Sequence, residues 1–377
     1  MKTLTNHILF AGGGTAGHLF PGLAVAEQLL RYAPRLRITF ASTGKVFEIR
    51  HVKQAGFAYL TLPCRPFPRR AGETLRFLTD NFAGYYAARR YLRDQRVSLV
   101  VGLGGYASVP AARAAARLGT GVVLLEQNAV PGRATRWLAP AADLVCSAFE
   151  NIRPYLRTGC RLRITGNPLR RAFVEQASSA RYLTDRLGSK RTLVVLGGSG
   201  GAKTLNEQVP PALYKAGVAL GDWQIVHQTG ERDAAKVSQL YRKLGLEATV
   251  LPFIENMPGL LSSSHLAISR SGGTTLAELA ASGVPAILLP FPKATDNHQR
   301  KNADVFSAAG ACKTLDEREL SGRLDNHLAQ AVVELATSHP ERVRMAHAMT
   351  RLARPDATRR VAQSIGTLLQ STELAAV

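Results

Sequence analysis

Ten residues carry the densest chemistry in this chain: Ser269-Arg270-Ser271-Gly272-Gly273-Thr274-Thr275-Leu276-Ala277-Glu278. The apolar run Leu266-Ala267-Ile268 before them reads as a buried strand, and Leu276 to Ala281 as a helix, so the two glycines mark the turn between them. Glycines there let backbone N–H groups approach a ligand closely. The helix dipole adds partial positive charge at the same point, and the combination suits a phosphate. Glu278 follows Thr274 by four residues and shares its face of the helix. A carboxylate would repel phosphate but suits the two hydroxyls of a ribose one step further along, so the pattern has the shape of a nucleotide. An ordinary strand-to-helix connection with an exposed Glu would use the same residue types.

Three more glycine loops follow apolar runs. Gly12-Gly13-Gly14-Thr15-Ala16-Gly17-His18 comes after Ile8 to Ala11, and Gly102-Leu103-Gly104-Gly105-Tyr106 after Ser98 to Val101. Gly197-Gly198-Ser199-Gly200-Gly201 comes after Thr192 to Leu196. Gly12, Gly14 and Gly17 fit the spacing of a dinucleotide loop, which calls for an acid at the end of the second strand. The second run, Leu36 to Ala41, passes into Ser42-Thr43-Gly44 with no Asp or Glu. The dinucleotide reading therefore weakens, and anion binding by the loop survives.

The elements that must position these loops alternate. Strands are expected at Phe57 to Leu62, Gly121 to Leu125, Leu144 to Ser147 and Arg161 to Thr165, and later at Gln224 to His227, Ala248 to Leu251 and Ala286 to Leu289. Helical segments separate them, which implies parallel βαβ units. The first helix runs through Leu29-Leu30, with Pro21 in its first turn. Gly166-Asn167-Pro168-Leu169-Arg170 reads as the turn out of a first domain, and residues 171–190 as polar and helical without a core stripe. The opening pattern then recurs at Thr192. The expected class is α/β: two Rossmann-like parallel-sheet domains facing across a cleft, as in the glycosyltransferase-B architecture, with the loops at strand C-termini lining the ligand site.

The length of 377 residues suits two such domains. The net charge of +21 is concentrated early: residues 1–165 hold 23 Lys and Arg against 8 Asp and Glu. A basic field favours an anionic partner, although codon usage that favours Arg would raise the charge with no partner at all. Over Thr74 to Arg96, Leu75, Leu78, Phe82, Tyr85 and Tyr86 interleave with Arg76, Arg89, Arg90 and Arg93, and Arg65, Arg69 and Arg70 lie upstream. Such a helix suits an anionic membrane interface; it also suits a crossover helix packed on the sheet with a solvated basic face, and different faces can do each. No nucleic-acid motif accompanies the charge, and a basic nucleic-acid-binding protein would leave the glycine loops unexplained. Four scattered cysteines argue against disulfides or a zinc site. The apolar start, His7 to Ala11, is too short for a signal peptide, and no run of 18 apolar residues occurs. A cytoplasmic protein without a transmembrane segment is expected.

The ordered set of motifs resembles the MurG family, which moves N-acetylglucosamine from UDP-GlcNAc onto lipid I, the undecaprenyl-diphosphate-linked muramoyl-pentapeptide. The matching stretches include Gly12 to His18 with Pro21-Gly22, Gly102 to Tyr106, Glu126-Gln127-Asn128, Gly166 to Arg170, Gly197 to Ala202 and Ser269 to Glu278. Pro290-Phe291, His298-Gln299 and Pro355-Asp356-Ala357 continue the set.

The resemblance implies residues 1–166 as the acceptor- and membrane-binding domain and residues 167–355 as the UDP-GlcNAc-binding domain. It implies 356–377 as a helix returning to the first. It implies a peripheral protein on the cytoplasmic face of the plasma membrane, with residues 65–96 on the anionic surface and no cofactor. Gly273, Thr274, Thr275, Leu276 and Ala277 would hold the donor diphosphate, Glu278 the ribose and the Ile254 backbone the uracil. Arg170 and Ser199 would be further donor contacts; Gln299 and Asn128 would recognise sugar. Thr15, Ala16, Gly17 and Tyr106 fall in the substrate-binding loops, with Gly12 to Gly17 on the acceptor diphosphate. No D-x-D motif occurs, so a metal-free inverting displacement is implied, assisted by a helix N-terminus and a cation. The acceptor 4-hydroxyl needs a base; His18, since an unperturbed imidazole suits a base at neutral pH, and Glu126 are the two candidates.

Ala16 stands where a glycine is frequent in the family, and Gly200 and His298 where Gln is frequent. The rivals are a related nucleotide-sugar glycosyltransferase acting on another lipid or natural-product acceptor, and a nucleotide-sugar epimerase of the same architecture. The epimerase would not need the basic, aromatic helix.

Overall fold

The computed structural model describes residues 6–68, 70–177, 190–320 and 322–374. Arg69 and most of the 171–190 segment lie outside them. The chain divides into two compact units, residues 1–170 with 356–377, and residues 171–355.

In the first unit β1 (His7–Ala11), β2 (Arg37–Ser42), β3 (Ala58–Thr61), β4 (Leu99–Gly102), β5 (Gly121–Glu126), β6 (Leu144–Ser147) and β7 (Leu162–Ile164) form one sheet in the order β3-β2-β1-β4-β5-β6-β7. Every pairing is parallel. Strands covered on both faces need apolar residues at successive positions, and β1 and β4 are buried along their whole length. Helices α1 (Ala16–Tyr32), α2 (Val46–Gln54), α3 (Thr74–Asp94), α4 (Val109–Leu118) and α5 (Arg133–Leu138) make the connections. Pro21 falls in the second turn of α1 rather than the first, so it removes the N–H that would have bonded to the Gly17 carbonyl.

In the second unit a short α6 (Arg171–Ala177) buries Phe173. It leads to β8 (Arg191–Leu196), β9 (Trp223–Gln228), β10 (Ala248–Leu251), β11 (Leu266–Ser269), β12 (Ala286–Leu288) and β13 (Cys312–Thr314), in the order β10-β9-β8-β11-β12-β13, again all parallel. The connecting and terminal helices are α7 (Lys203–Ala216), α8 (Ala234–Lys243), α9 (Met257–Ser263), α10 (Gly273–Ser282), α11 (His298–Ala308), α12 (Leu324–Thr337) and α13 (His339–Leu352). Strand β13 was not anticipated: Cys-Lys-Thr is three residues at a sheet edge, with no apolar run to announce it.

The last helix, α14 (Ala357–Leu374), belongs to the first unit, where Val361, Ile365 and Leu369 join Leu19, Leu23 and Leu125 in one core. Each such burial contributes about 1.5–3 kcal/mol. Thr358 fixes the join: its hydroxyl donates to the Leu169 carbonyl at 2.8 Å and accepts from the Leu169 N–H at 2.9 Å. The division between the units falls after Arg170, the last residue of the expected turn, against an expected boundary after residue 166.

Candidate functional site

In an open parallel sheet, ligands bind where the strand order reverses, outside the strand C-termini. In the first unit that point lies between β1 and β4, with Ala11 opposite Gly102, so the loops beginning at Gly12 and Gly102 meet. The loop from Gly12 leads into α1. Its N-cap is Thr15, whose carbonyl accepts from the His18 and Leu19 N–H groups while its hydroxyl caps nothing. That hydroxyl lies 3.1 Å from His18 Nδ1 instead. The imidazole rests on the second loop: a Cβ built on Gly104 (φ +97°) would meet His18 Cδ2 at 3.0 Å and Nε2 at 3.2 Å. Only glycine leaves the ring its place. Tyr106 follows, half-buried, in the turn of 3₁₀-helix that starts α4.

Glu126, at the end of β5, is buried, and both its oxygens are engaged within the chain. Oε1 accepts from the Asn128 N–H at 3.1 Å and the Asn128 side-chain amide at 3.2 Å. Oε2 accepts from the Gly132 N–H at 3.0 Å and the Thr135 hydroxyl at 2.6 Å. Burial raises its pKa, and those hydrogen bonds work in the opposite direction. This carboxylate organises the loop that carries Asn128 and the start of α5.

Glu48, which sequence reasoning passed over, enters the first glycine loop from α2. Its Oε1 accepts from the Gly14 N–H and from the Ser42 hydroxyl at 3.1 Å, and its Oε2 from the Tyr59 hydroxyl at 2.8 Å. Lys45 donates to the Gly14 carbonyl at 3.1 Å. One N–H of the expected phosphate loop is thus already held by a carboxylate. Glu48 follows Ser42 and Gly44 in the sequence, but it reads there as an ordinary helix residue. Arg170 also lies in this unit, its guanidinium 4.8 Å from the centre of the Phe20 ring.

In the second unit the order reverses between β8 and β11, with Leu196 opposite Ser269. The loops from Gly197 and Arg270 therefore meet. Gly201 (φ +74°) must be glycine, because a Cβ there would stand 1.9 Å from the Thr229 carbonyl oxygen. Ser199 is half-buried at that loop's outer bend and Gly200 faces open space. Helix α10 begins behind Gly272 with no side-chain cap, unlike α9 and α13, where Asn256 and Ser338 supply one. Its first N–H groups, with the Thr274 and Thr275 hydroxyls, form the phosphate-shaped end. Thr274 and Glu278 are each 9% exposed, one turn apart, while Leu276 is fully buried against the core and Ala277 is half-buried. The turn is held from the far side: the Ser271 hydroxyl donates to the Gln299 carbonyl at 2.7 Å, and Asn302 donates to the Ser271 carbonyl at 3.0 Å. Gln299 also accepts from the Phe291 N–H at 2.9 Å. Ile254 is buried in the loop after β10.

Two sequence profiles match the chain: the Glycosyltransferase family 28 N-terminal domain over residues 8–147 and its C-terminal domain over residues 192–361. A relative from Geobacter sulfurreducens, named UDP-N-acetylglucosamine–N-acetylmuramyl-(pentapeptide) pyrophosphoryl-undecaprenol N-acetylglucosamine transferase, is 38% identical over 94% of this chain and 96% of its own. One of the same name from Pelobacter propionicus is 37% identical over 95% and 98%. The crystal structure of MurG from Acinetobacter baumannii superposes with a TM-score of 0.74 at 30% identity, covering 96% of this chain and 99% of that one. The chain belongs to the MurG family.

Most of the expected site residues fall into two groups, one per unit. Thr15, Ala16, Gly17, His18, Tyr106, Glu126 and Asn128 gather around β1, β4 and β5. Ser199, Gly273 to Glu278 and Gln299 gather around β8, β11 and α11. Arg170 stands in the first unit, apart in sequence from both groups. Among the described residues no helix is long and apolar enough to cross a membrane.

Proposed function

We propose that this chain transfers N-acetylglucosamine from UDP-GlcNAc to the 4-hydroxyl of the muramoyl sugar of lipid I, giving lipid II for peptidoglycan synthesis. The observation that carries the donor half is the side-chain-free start of α10, with the Thr274 and Thr275 hydroxyls beside it and buried Glu278 one turn on. The helix end meets the diphosphate and the carboxylate accepts from the ribose hydroxyls. The Ile254 backbone reads the uracil, Ser199 adds a donor contact, and Gln299 contacts the sugar.

On the acceptor side, His18 is the base. The Thr15 hydroxyl, 3.1 Å from Nδ1, orients the ring, and a neutral imidazole takes up a proton readily near pH 7. The acceptor oxygen attacks the anomeric carbon as its bond to the UDP oxygen breaks; the hydroxyl proton goes to His18, and the configuration inverts from α to β. Charge on departing UDP is met by the α10 N-terminus, with no metal or cofactor required. Glu126, its oxygens engaged, positions Asn128 instead of taking the proton. Ala16 and Gly17 N–H groups face the acceptor diphosphate, with Tyr106 nearby on the adjoining loop.

The chain works at the cytoplasmic face of the plasma membrane, held there by α3. Gly84, Ala88 and Leu92 turn one face of that helix into the unit, while Leu75, Leu78, Phe82 and Tyr86 stand exposed on another at helical spacing. Arg76, Arg90 and Arg93 are exposed around them. Apolar groups ringed by arginines fit an anionic bilayer surface. Binding of UDP by the wild-type protein and its loss in Glu278→Ala tests the donor site; equal affinity in the two proteins removes the basis of the reading.

A further inference from the structure

We infer that Glu317 is a positioning residue of the donor site, joining the turn into α10 to the start of α7 through one carboxylate. It lies in the loop after β13, outside every motif that marks the site in the sequence. One of its oxygens pairs with the Arg270 guanidinium, and the other accepts from the Thr204 hydroxyl at 3.1 Å. Arg270 begins the turn into α10, and Thr204 is the second residue of α7, just past the Gly197 to Gly201 loop. Both partners of the ion pair are largely withdrawn from solvent, their side chains 11% and 16% exposed. Solvent screens such a pair little, and its geometry is firmly set.

Arg270 passes the constraint on. The same Nη1 donates to the Leu289 carbonyl at 3.0 Å and the Pro290 carbonyl at 3.3 Å, at the end of β12. The guanidinium sits 5.5 Å from the centre of the Phe291 ring, and the Phe291 N–H is held by Gln299. The loop bearing Glu317 is itself fixed. Neighbouring Asp316 accepts from Arg300 of α11 at 2.8 Å and from Arg318 at 2.6 Å, and the Arg318 contact leads the cations that hold its carboxyl well below the usual carboxylate range. Glu317 therefore sets the spacing between the diphosphate turn before α10 and the Gly197 to Gly201 loop, and steadies the segment bearing Gln299. It also holds a cation beside the diphosphate turn in a fixed, neutralised place.

This inference rests on the donor reading above. Its test is UDP binding by calorimetry, with acceptor KM and thermal midpoint measured alongside. Glu317→Ala weakens UDP about tenfold and Thr204→Val about fivefold, each with acceptor KM unchanged. Glu317→Gln restores most of the affinity, since an amide can accept from Arg270 and donate to Thr204. The Glu317→Ala/Thr204→Val double variant binds no more weakly than Glu317→Ala alone, because both break one bridge. Glu317→Ala or Thr204→Val within twofold of wild type, or independent effects that multiply, overturn the inference. If Glu317→Ala does not fold, Thr204→Val decides it: a loss of about fivefold in UDP affinity with an unchanged thermal midpoint supports the inference, and binding within twofold of wild type overturns it. A wild type that binds no UDP sinks the donor reading, and this inference with it.

Discussion

The Thr15 hydroxyl lies 3.1 Å from His18 Nδ1, at a helix start where a threonine would ordinarily bond to a backbone N–H. The helix gives up a cap so that an imidazole can be oriented, a sacrifice of about 1 kcal/mol. His18→Ala should lower kcat by about 10²- to 10⁴-fold, the range for loss of a general base, with UDP affinity unchanged. Thr15→Val should lower kcat less and leave the ring in place. Equal transfer by wild type and His18→Ala would move the base elsewhere.

Glu278 makes the opposite prediction. Loss of a charge-assisted bond to the ribose costs about 1.5–3 kcal/mol, so Glu278→Ala should raise the donor KM by roughly ten- to a hundredfold. Acceptor KM should not move. A 2′,3′-dideoxy analogue of UDP should bind wild type and variant alike, and a difference between them would place Glu278 on some other group.

For α3, Phe82→Ser together with Leu75→Ser should abolish sedimentation with vesicles containing anionic lipid and leave transfer to a water-soluble acceptor analogue intact. Wild-type binding should weaken as salt rises, since the arginines act through screened charge. Binding that ignores both salt and these substitutions would contradict the membrane role.

His227 gives a pH dependence. It is buried on β9, its Nδ1 3.0 Å from the Tyr241 hydroxyl, and burial lowers its pKa to about 3. The folded state keeps it neutral, whereas the unfolded chain takes up a proton below about pH 6.5. Stability from this group is therefore complete above pH 6.5 and falls as pH drops toward 3, by on the order of 1 kcal/mol per unit. With Trp137→Phe, the remaining tryptophan, Trp223, reports on the second unit. Its denaturant midpoint should fall between pH 7 and 5, and His227→Leu should remove much of that slope. A slope unchanged by His227→Leu would assign the acid sensitivity to other groups.

The glycine loops and the strands before them were legible because a buried parallel strand is a run of apolar residues and a tight turn at its end needs glycine. Both signals sit within ten residues of chain. What the sequence could not display are contacts closed by the fold. Glu48 reaches Gly14 across 34 positions, and Glu317 reaches Arg270 across 47. Neither carboxylate differs, as a letter in the chain, from a solvated one. Glu126 could be picked out, but its engagement by Asn128, Gly132 and Thr135 depends on how the following loop folds back. Strand β13 escaped because three residues at an edge carry no periodicity.

The most direct test is transfer of labelled N-acetylglucosamine from UDP-GlcNAc to a lipid I analogue in EDTA, comparing wild type, His18→Ala and Glu278→Ala. Robust wild-type transfer, with His18→Ala impaired in kcat and Glu278→Ala in donor KM, is the predicted result. A wild type that transfers nothing to lipid I, with or without added Mg²⁺, would contradict it.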